Sequence, residues 1–92
     1  MIISDRSKHH NPMEKRIGTT IIIVEDGQQV EALNSIISSH AGIILGRQGI
    51  PLRDREMSLI SLVFEGTTDE LGSLTGKLGR IPGIRVKSVV AI

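Results

Sequence analysis

Two kinds of apolar pattern alternate along the chain, and their order restricts the fold more than any other feature. Four segments rich in Ile, Leu and Val read as strands: IGTTIIIVE (17–25), IILGRQGI (43–50), MSLISLVFE (57–65) and IRVKSVVAI (84–92). Between the first two strands, and again between the last two, apolar residues recur at helical spacing. The predicted order is therefore strand, helix, strand, strand, helix, strand.

The two predicted helices carry start and stop signals. Asp26 is the expected N-cap of the first helix, with Gln29 at the capping-box position and Gly42 as the stop. Thr67 and Glu70 form the corresponding pair for the second helix, which precedes a Pro82-Gly83 turn. The expected buried stripes are Val30, Leu33, Ile36 and Ile37 in the first helix, and Leu71, Leu74, Leu78 and Ile81 in the second.

Two strand-helix-strand units joined by the charged turn PLRDRE predict an α+β, ferredoxin-like βαββαβ sandwich. Its antiparallel four-stranded sheet would carry both helices on one face. Neighbouring residues of a strand point to opposite faces of the sheet, and here both are often apolar, as in Ile21 and Ile22 or Leu62 and Val63. One layer of helices covers only one face, so we expect the other to be buried in a homo-oligomer, a dimer or tetramer.

The chain divides by composition into a leader, residues 1–15, and a single domain, residues 16–92. The leader is polar and shows no periodic pattern, so we expect a mobile, solvated tail. The alternative is that its His9-His10 pair binds a metal ion weakly. Met13 could be the true initiator. No stretch approaches 18 apolar residues and no signal-peptide core opens the chain. We therefore expect a cytoplasmic protein without membrane attachment.

Composition excludes several classes of function. The absence of cysteine removes disulfides, thiol chemistry and cysteine-based metal sites, and a single aromatic residue, Phe64, argues against RNA binding by base stacking. His40 lies near a helix end, where helix capping or exposure is favoured over metal ligation. Arg53 and Arg55 on the hairpin, like Arg80, Arg85 and Lys87 near the last strand, are expected to be solvated, although the last three could also hold an anion. A net charge of +1 does not predict direct DNA binding. With no cysteine and one histidine in the domain, we expect no metal, and we expect no cofactor.

The sequence also argues against an enzyme. The sequence shows no set of a nucleophile, a general base and a residue to orient that base. Gly72 to Lys77, G-S-L-T-G-K, resembles a phosphate-binding loop but has the wrong spacing and lies within a helix. A hydrolase remains a third and minor possibility, because acyl-phosphate hydrolysis occurs on this fold, but the loop after the first strand is acidic here.

Three glycines, Gly72, Gly76 and Gly79, interrupt the second helix and lie on one side of it. Each glycine in a helix interior costs about 1 kcal/mol relative to alanine. Three explanations are open: the helix ends early near Thr75, Gly79 is a C-terminal left-handed residue, or the glycines allow the first helix or a neighbouring subunit to approach closely. We favour close approach.

Three motifs support a family resemblance: G-R-x-G-I-P at 46–51, E-G-T-T-D-E at 65–70 and L-T-G-K-L-G-R-x-P-G at 74–83. With KRIGTTIIIVED before them, they resemble the iron-only hydrogenase system regulator family over about residues 13–90. The resemblance implies a relation to ACT domains and to the C-terminal domain of the nickel-responsive regulator. Neither the DNA-binding segment nor the histidine and cysteine ligands of that regulator are present.

The resemblance implies a non-enzymatic regulatory domain that binds a small effector between subunits. In ACT-like modules the effector lies near the turn from the first strand to the first helix, which points to Asp26, Gly27 and Gln28. The N–H groups at the helix start would be the donors. The alternative is a structural protein-protein interaction module that binds no small molecule.

Overall fold

The computed structural model describes residues 13–25 and 27–92, which form four strands and two α-helices. The strands are β1 (Arg16–Val24), β2 (Ile44–Leu52), β3 (Met57–Gly66) and β4 (Ile84–Val90), and the helices are α1 (Val30–Ser39) and α2 (Thr68–Gly79). Short 3-10 turns occupy Gly27–Gln29, Ala41–Ile43 and Arg53–Arg55. The predicted order of strands and helices is confirmed.

The four strands form one sheet in the order β2-β3-β1-β4, and every neighbouring pair is antiparallel. Both helices pack against the same face of this sheet, because the core residues of the strands and of the helices belong to one cluster. The chain therefore has the predicted ferredoxin-like βαββαβ architecture. β1 and β3 are the central strands, and β2 and β4 are the edges.

The core follows the period of two that a strand imposes on its side chains. On β1 and β3, alternate residues are buried beneath the helices, and the residues between them point to the opposite face. The buried apolar residues of these two strands are Ile22, Val24, Ile60, Leu62 and Phe64. The predicted leucine stripe of α2 and Ile81 are also buried. In α1, Leu33 and Ile37 are buried and Ile36 is partly buried, but Val30 is 40% exposed, so its predicted place in the buried stripe is wrong.

A capping box starts α2 as predicted. The Thr67 hydroxyl accepts a hydrogen bond from the Glu70 N–H at 3.2 Å, and the Thr67 N–H donates to Glu70 Oε1 at 2.8 Å. These bonds satisfy backbone donors that the first turn of a helix leaves without partners. α2 then continues through Gly79, so the expectation that it ends near Thr75 is wrong.

The start of α1 differs from the prediction. The helix begins at Val30 after the 3-10 turn, its N-cap is Gln29, and the Gln29 side chain makes no capping hydrogen bond. The predicted N-cap position of α1 at Asp26 is therefore wrong. The 3-10 turn takes up the residues expected to form the first helical turn, so Gln29 lies at the cap itself. Asp26 lies outside the described residues.

Candidate functional site

The fold leaves uncovered the face of the sheet opposite the helices. Its central positions come from the residues of β1 and β3 that alternate with the core, including Ile21, Ile23, Leu59 and Val63. Ile21 and Val63 are each 42% exposed, and Ile50 of β2 is 41% exposed. The predicted second apolar face is therefore present, and we call it the open face.

Register explains why these side chains form one continuous apolar surface. Ile23 lies opposite Leu59 on β3, and Leu59 lies opposite Ile50 on β2. Opposite residues on one face of an antiparallel sheet have their Cβ atoms about 5 Å apart. The row from Ile50 to Ile23 therefore crosses three strands without a charge.

The β4 side of the open face is basic. Arg85 lies opposite Ile23, and Lys87 lies opposite Ile21. Arg85 Nε donates to Glu25 Oε1 at 2.6 Å, an ion pair whose arginine side chain is 74% exposed. A pair this exposed adds little stability. Its effect is to hold the guanidinium beside the end of β1.

The residues predicted to hold an effector lie on the exposed connection between β1 and α1. Gly27 and Gln28 belong to the 3-10 turn, and both are exposed, whereas Asp26 lies outside the described residues. The connection begins beside the turn that precedes β4, since the Glu25 N–H donates to the Gly83 carbonyl oxygen at 2.8 Å. Gly27, Gln28 and the Glu25–Arg85 pair therefore lie at the same end of the sheet.

Among the described residues, the three helix glycines do not serve close packing. A Cβ atom added at Gly72, Gly76 or Gly79 would meet no described atom within 4 Å. The expectation that α1 approaches them is therefore wrong. Gly79 also lies within α2 without a positive φ, so it is not a left-handed cap. Close approach by a neighbouring subunit stays a prediction.

The glycine that close packing does require is Gly18, in the interior of β1. A Cβ atom there would lie 2.2 Å from the Val89 carbonyl oxygen and 2.8 Å from Phe64 Cζ. No alanine fits such a space without movement of the backbone. The glycine inside an otherwise β-branched strand was the sequence signal for this position.

His40 joins the two helices. Its Nδ1 lies 2.8 Å from the Ile36 carbonyl oxygen, which can only accept, so Nδ1 carries the proton of this bond. Its Nε2 lies 3.1 Å from the hydroxyl oxygen of Ser73 on α2. The predicted role of His40 in capping α1 is confirmed, and its contact with Ser73 is an addition that the sequence did not indicate.

Small clefts on the surface of the described residues include two that are lined by predicted capping or hairpin residues. One, of about 280 Å³, lies beside His40 and is lined by Ser39, Glu70 and Ser73. The other, of about 340 Å³, lies on the β2–β3 hairpin and is lined by Pro51 to Arg55.

The Thr67 N–H donates to the Glu70 carboxylate and holds its pKa below the ordinary value, with a smaller effect of the Thr67 hydroxyl in the same direction. Glu70 is therefore a charged capping group at neutral pH.

Residues 13–25 and 27–92 contain no cluster of three or more His, Asp or Glu side chains that could hold a metal ion. Within the same residues, neither α-helix combines the length and apolar character needed to cross a membrane.

Fold and surface together define a small α+β domain with an uncovered apolar sheet face, and comparison with known proteins gives its family. The model of the TM1266-like family, described as "Iron-only hydrogenase system regulator, putative", matches residues 16–88. The chain belongs to this family, and the expected resemblance is confirmed. No curated protein sequence matches the chain.

Solved structures agree with this assignment. The uncharacterized protein TM1266 from Thermotoga maritima is 36% identical, with a TM-score of 0.81 over 86% of this chain and 100% of that one. The C-terminal domain of MgtC from Mycobacterium tuberculosis matches with 13% identity and a TM-score of 0.66, over 88% and 90% of the two chains. An unknown protein from Galdieria sulphuraria matches with 11% identity and a TM-score of 0.59, over 86% of this chain and 46% of its own. At these identities the last two matches show the fold alone.

Proposed function

We propose that this chain is a non-enzymatic regulatory domain of an iron-only hydrogenase system, which forms homo-oligomers through its sheet and binds a small effector between subunits. The family supports the regulatory role. The open face is the single observation that carries the oligomer. The effector is proposed at Gly27 and Gln28, with Asp26 beside them in the sequence.

The open face supports self-association because it exposes large apolar side chains that a monomer leaves in water. Ile21, Val63 and Ile50 each expose about two-fifths of their surface. Burying a whole side chain of this kind contributes about 1.5–3 kcal/mol, so covering the exposed part of one contributes about 1 kcal/mol. A twofold contact would use each of these side chains twice, once from each copy.

Light scattering coupled to size exclusion, at micromolar concentration, tests the oligomer. The full chain should elute with at least twice the 10.0 kDa mass of one copy. Val63→Lys should lower that mass, because it places an unpaired charge at the centre of the open face.

Val30→Lys is the matched control. Val30 is a valine of nearly the same exposure, 40%, but it lies on α1, away from the open face. A monomer for the unmodified chain, or equal masses for the two lysine variants, would contradict the proposed use of the open face.

The effector site is proposed where the β1–α1 connection, the Glu25–Arg85 pair and the basic side of the open face lie close together. An effector bound there would contact Gly27 and Gln28 and extend towards a subunit that packs on the open face. A ligand bound at a turn beside a subunit interface can contact both subunits. Ligand binding then favours subunit association, and association favours ligand binding.

A thermal-shift screen of metabolites and metal ions on the full chain tests the effector. A compound at 100 times its dissociation constant stabilises the folded state by about 2.7 kcal/mol, or roughly 10–20 °C in a domain of this size. Gln28→Ala should reduce the shift of any compound found. A compound whose shift survives Gln28→Ala binds elsewhere, and a screen without shifts favours the interaction module that binds no small molecule.

A further inference from the structure

The two edges of the sheet differ in how well each could pair with another strand. β2 carries Pro51, which has no N–H to donate, and its pairing with β3 is irregular between Ile44 and Gly46. Proline and bulges are devices that prevent an edge from pairing. β4 pairs with β1 without irregularity and contains no proline. β4 is therefore the edge that remains able to accept a strand.

The main-chain groups that β4 presents at this edge follow from its bonds to β1. The Glu25 N–H donates to the Gly83 oxygen, and the Ala91 N–H donates to the Ile17 oxygen, each at 2.8 Å. In an antiparallel ladder, bonding groups point alternately to the two sides of a strand. Odd-numbered residues of β4 therefore bond to β1. The outward residues are Ile84, Val86, Ser88 and Val90.

We propose that β4 pairs antiparallel with β4 of a second copy of this chain, about a twofold axis at Ser88. The two four-stranded sheets would then become one continuous sheet, with their helices on the same side. This inference rests on the proposed self-association through the sheet and adds a second contact between copies, at an edge distinct from the open face.

Charge disfavours two of the registers that would keep most of β4 paired. Pairing centred on Val86 places Arg85 against Lys87 of the other copy, and pairing centred on Lys87 places the two lysines against each other. Directly opposed like charges destabilise a ladder. Centring on Ser88 removes both conflicts, because Lys87 then lies opposite Val89 of the other copy. The hydrogen-bonded pairs become Ser88 with Ser88 and Val86 with Val90, all from outward-pointing residues.

The same register covers apolar surface that β4 leaves exposed. Val89 is 64% exposed and Val90 is 44% exposed. Val90 would pack beside Val86 of the other copy, and Val89 beside the aliphatic part of Lys87, whose ammonium group stays in water. A second copy is the occupant that fits, because the strand is complementary to itself about Ser88.

Hydrogen exchange of the full chain, followed by NMR, tests the pairing directly. The amides of Val86, Ser88 and Val90 point away from β1 and should exchange freely on a bare edge. In the paired state they should be protected about a hundredfold or more, as are amides bonded within a sheet. Free exchange of these three amides at a concentration where the protein is oligomeric would overturn the proposal.

Val90→Pro gives a second, independent readout. It removes an outward N–H and leaves the bonds to β1 in place, so the fold should persist, as checked by circular dichroism. Its mass in light scattering should fall to half that of the unmodified chain, and protection at Val86 should be lost. An unchanged mass for Val90→Pro together with a fall for Val63→Lys would refute edge pairing and leave the open-face association intact. If Val90→Pro does not fold, hydrogen exchange of the Val86, Ser88 and Val90 amides in the unmodified chain decides whether β4 pairs with a second copy.

Discussion

Replacing Gly18 by alanine should be among the most damaging single-methyl changes in this chain. The new Cβ atom would lie 2.2 Å from the Val89 carbonyl oxygen, well inside van der Waals contact, and 2.9 Å from Phe64 Cε1. Phe64 is 1% exposed and belongs to the packed core, so its ring cannot move away without disturbing its neighbours. The backbone oxygen belongs to β4 and cannot rotate away, so β1 and β4 must separate locally.

The expected loss in the free energy of unfolding can be estimated in two ways. Overpacking a core costs about 1–3 kcal/mol, and a clash with backbone belongs at the upper end of that range. If β4 instead separates at its end, the bonds joining Ile17 to Ala91 and Ile92 are lost, at about 1 kcal/mol each. Both routes give about 3 kcal/mol. That is a large share of the total free energy of unfolding for a domain of this size, and its loss lowers the melting temperature by roughly 12–24 °C.

Chemical and thermal denaturation at one fixed protein concentration measure this loss, since self-association makes stability depend on concentration. Gly49→Ala is the matched control: it adds the same methyl group to a strand, on β2, where no described atom lies within 4 Å. That variant should gain about 0.5–1 kcal/mol, because glycine is unfavourable in a strand interior. If Gly18→Ala stays within about 0.5 kcal/mol of the unmodified protein, the β1–β4 register described above is wrong.

Four further predictions follow from other parts of the molecule. Glu56 has a φ of 54°, so Glu56→Gly should raise the free energy of unfolding by about 0.5 kcal/mol in urea denaturation, because glycine adopts left-handed backbone without strain; a loss of stability would show that the Glu56 side chain is needed. Because the pKa of Glu70 is lowered on folding, its stabilising effect is present above its ordinary pKa of 4.5 and disappears as the pH falls through the folded value; Glu70→Gln should remove that part of the pH dependence of the melting temperature, and an unchanged profile would contradict it. Gly76→Leu should lower the melting temperature or change the assembly, because a neighbouring subunit is predicted to approach the glycines of α2; a higher melting temperature with unchanged assembly would show that this face stays in water. A chain without residues 1–12 should show no submicromolar nickel or zinc binding by calorimetry, and tight binding would refute the prediction that the domain carries no metal site.

Local features of the chain were predictable because the groups that create them are close in sequence. The capping box needs only Thr67 and Glu70, three residues apart, and the structure forms it as expected. The burial of alternate strand residues follows from the period of the strand. The separation of Ile21 and Ile22 onto opposite faces of β1 was therefore predictable, whereas the burial of the Ile22 face beneath the helices came from the structure.

Features that depend on partners distant in sequence were missed or assigned to the wrong residues. The contact of His40 with Ser73 joins two helices, and the pair of Glu25 with Arg85 joins β1 to β4. Nothing near these residues in the sequence specifies their partners. The start of α1 also differed, because the 3-10 turn takes up residues that a capping pattern alone would place in the helix.

The glycines show most clearly what each level decides. Sequence pattern identified a strand around Gly18 and a helix around Gly76, and both are present. The pattern also suggested that the regularly spaced helix glycines make the close contact, whereas the structure gives them no neighbour among the described residues of the chain and places Val89 against Gly18. Periodicity determines which way a side chain points, because it follows from backbone geometry. How much space that side chain meets depends on elements brought together only by folding, so it was decided by the tertiary structure.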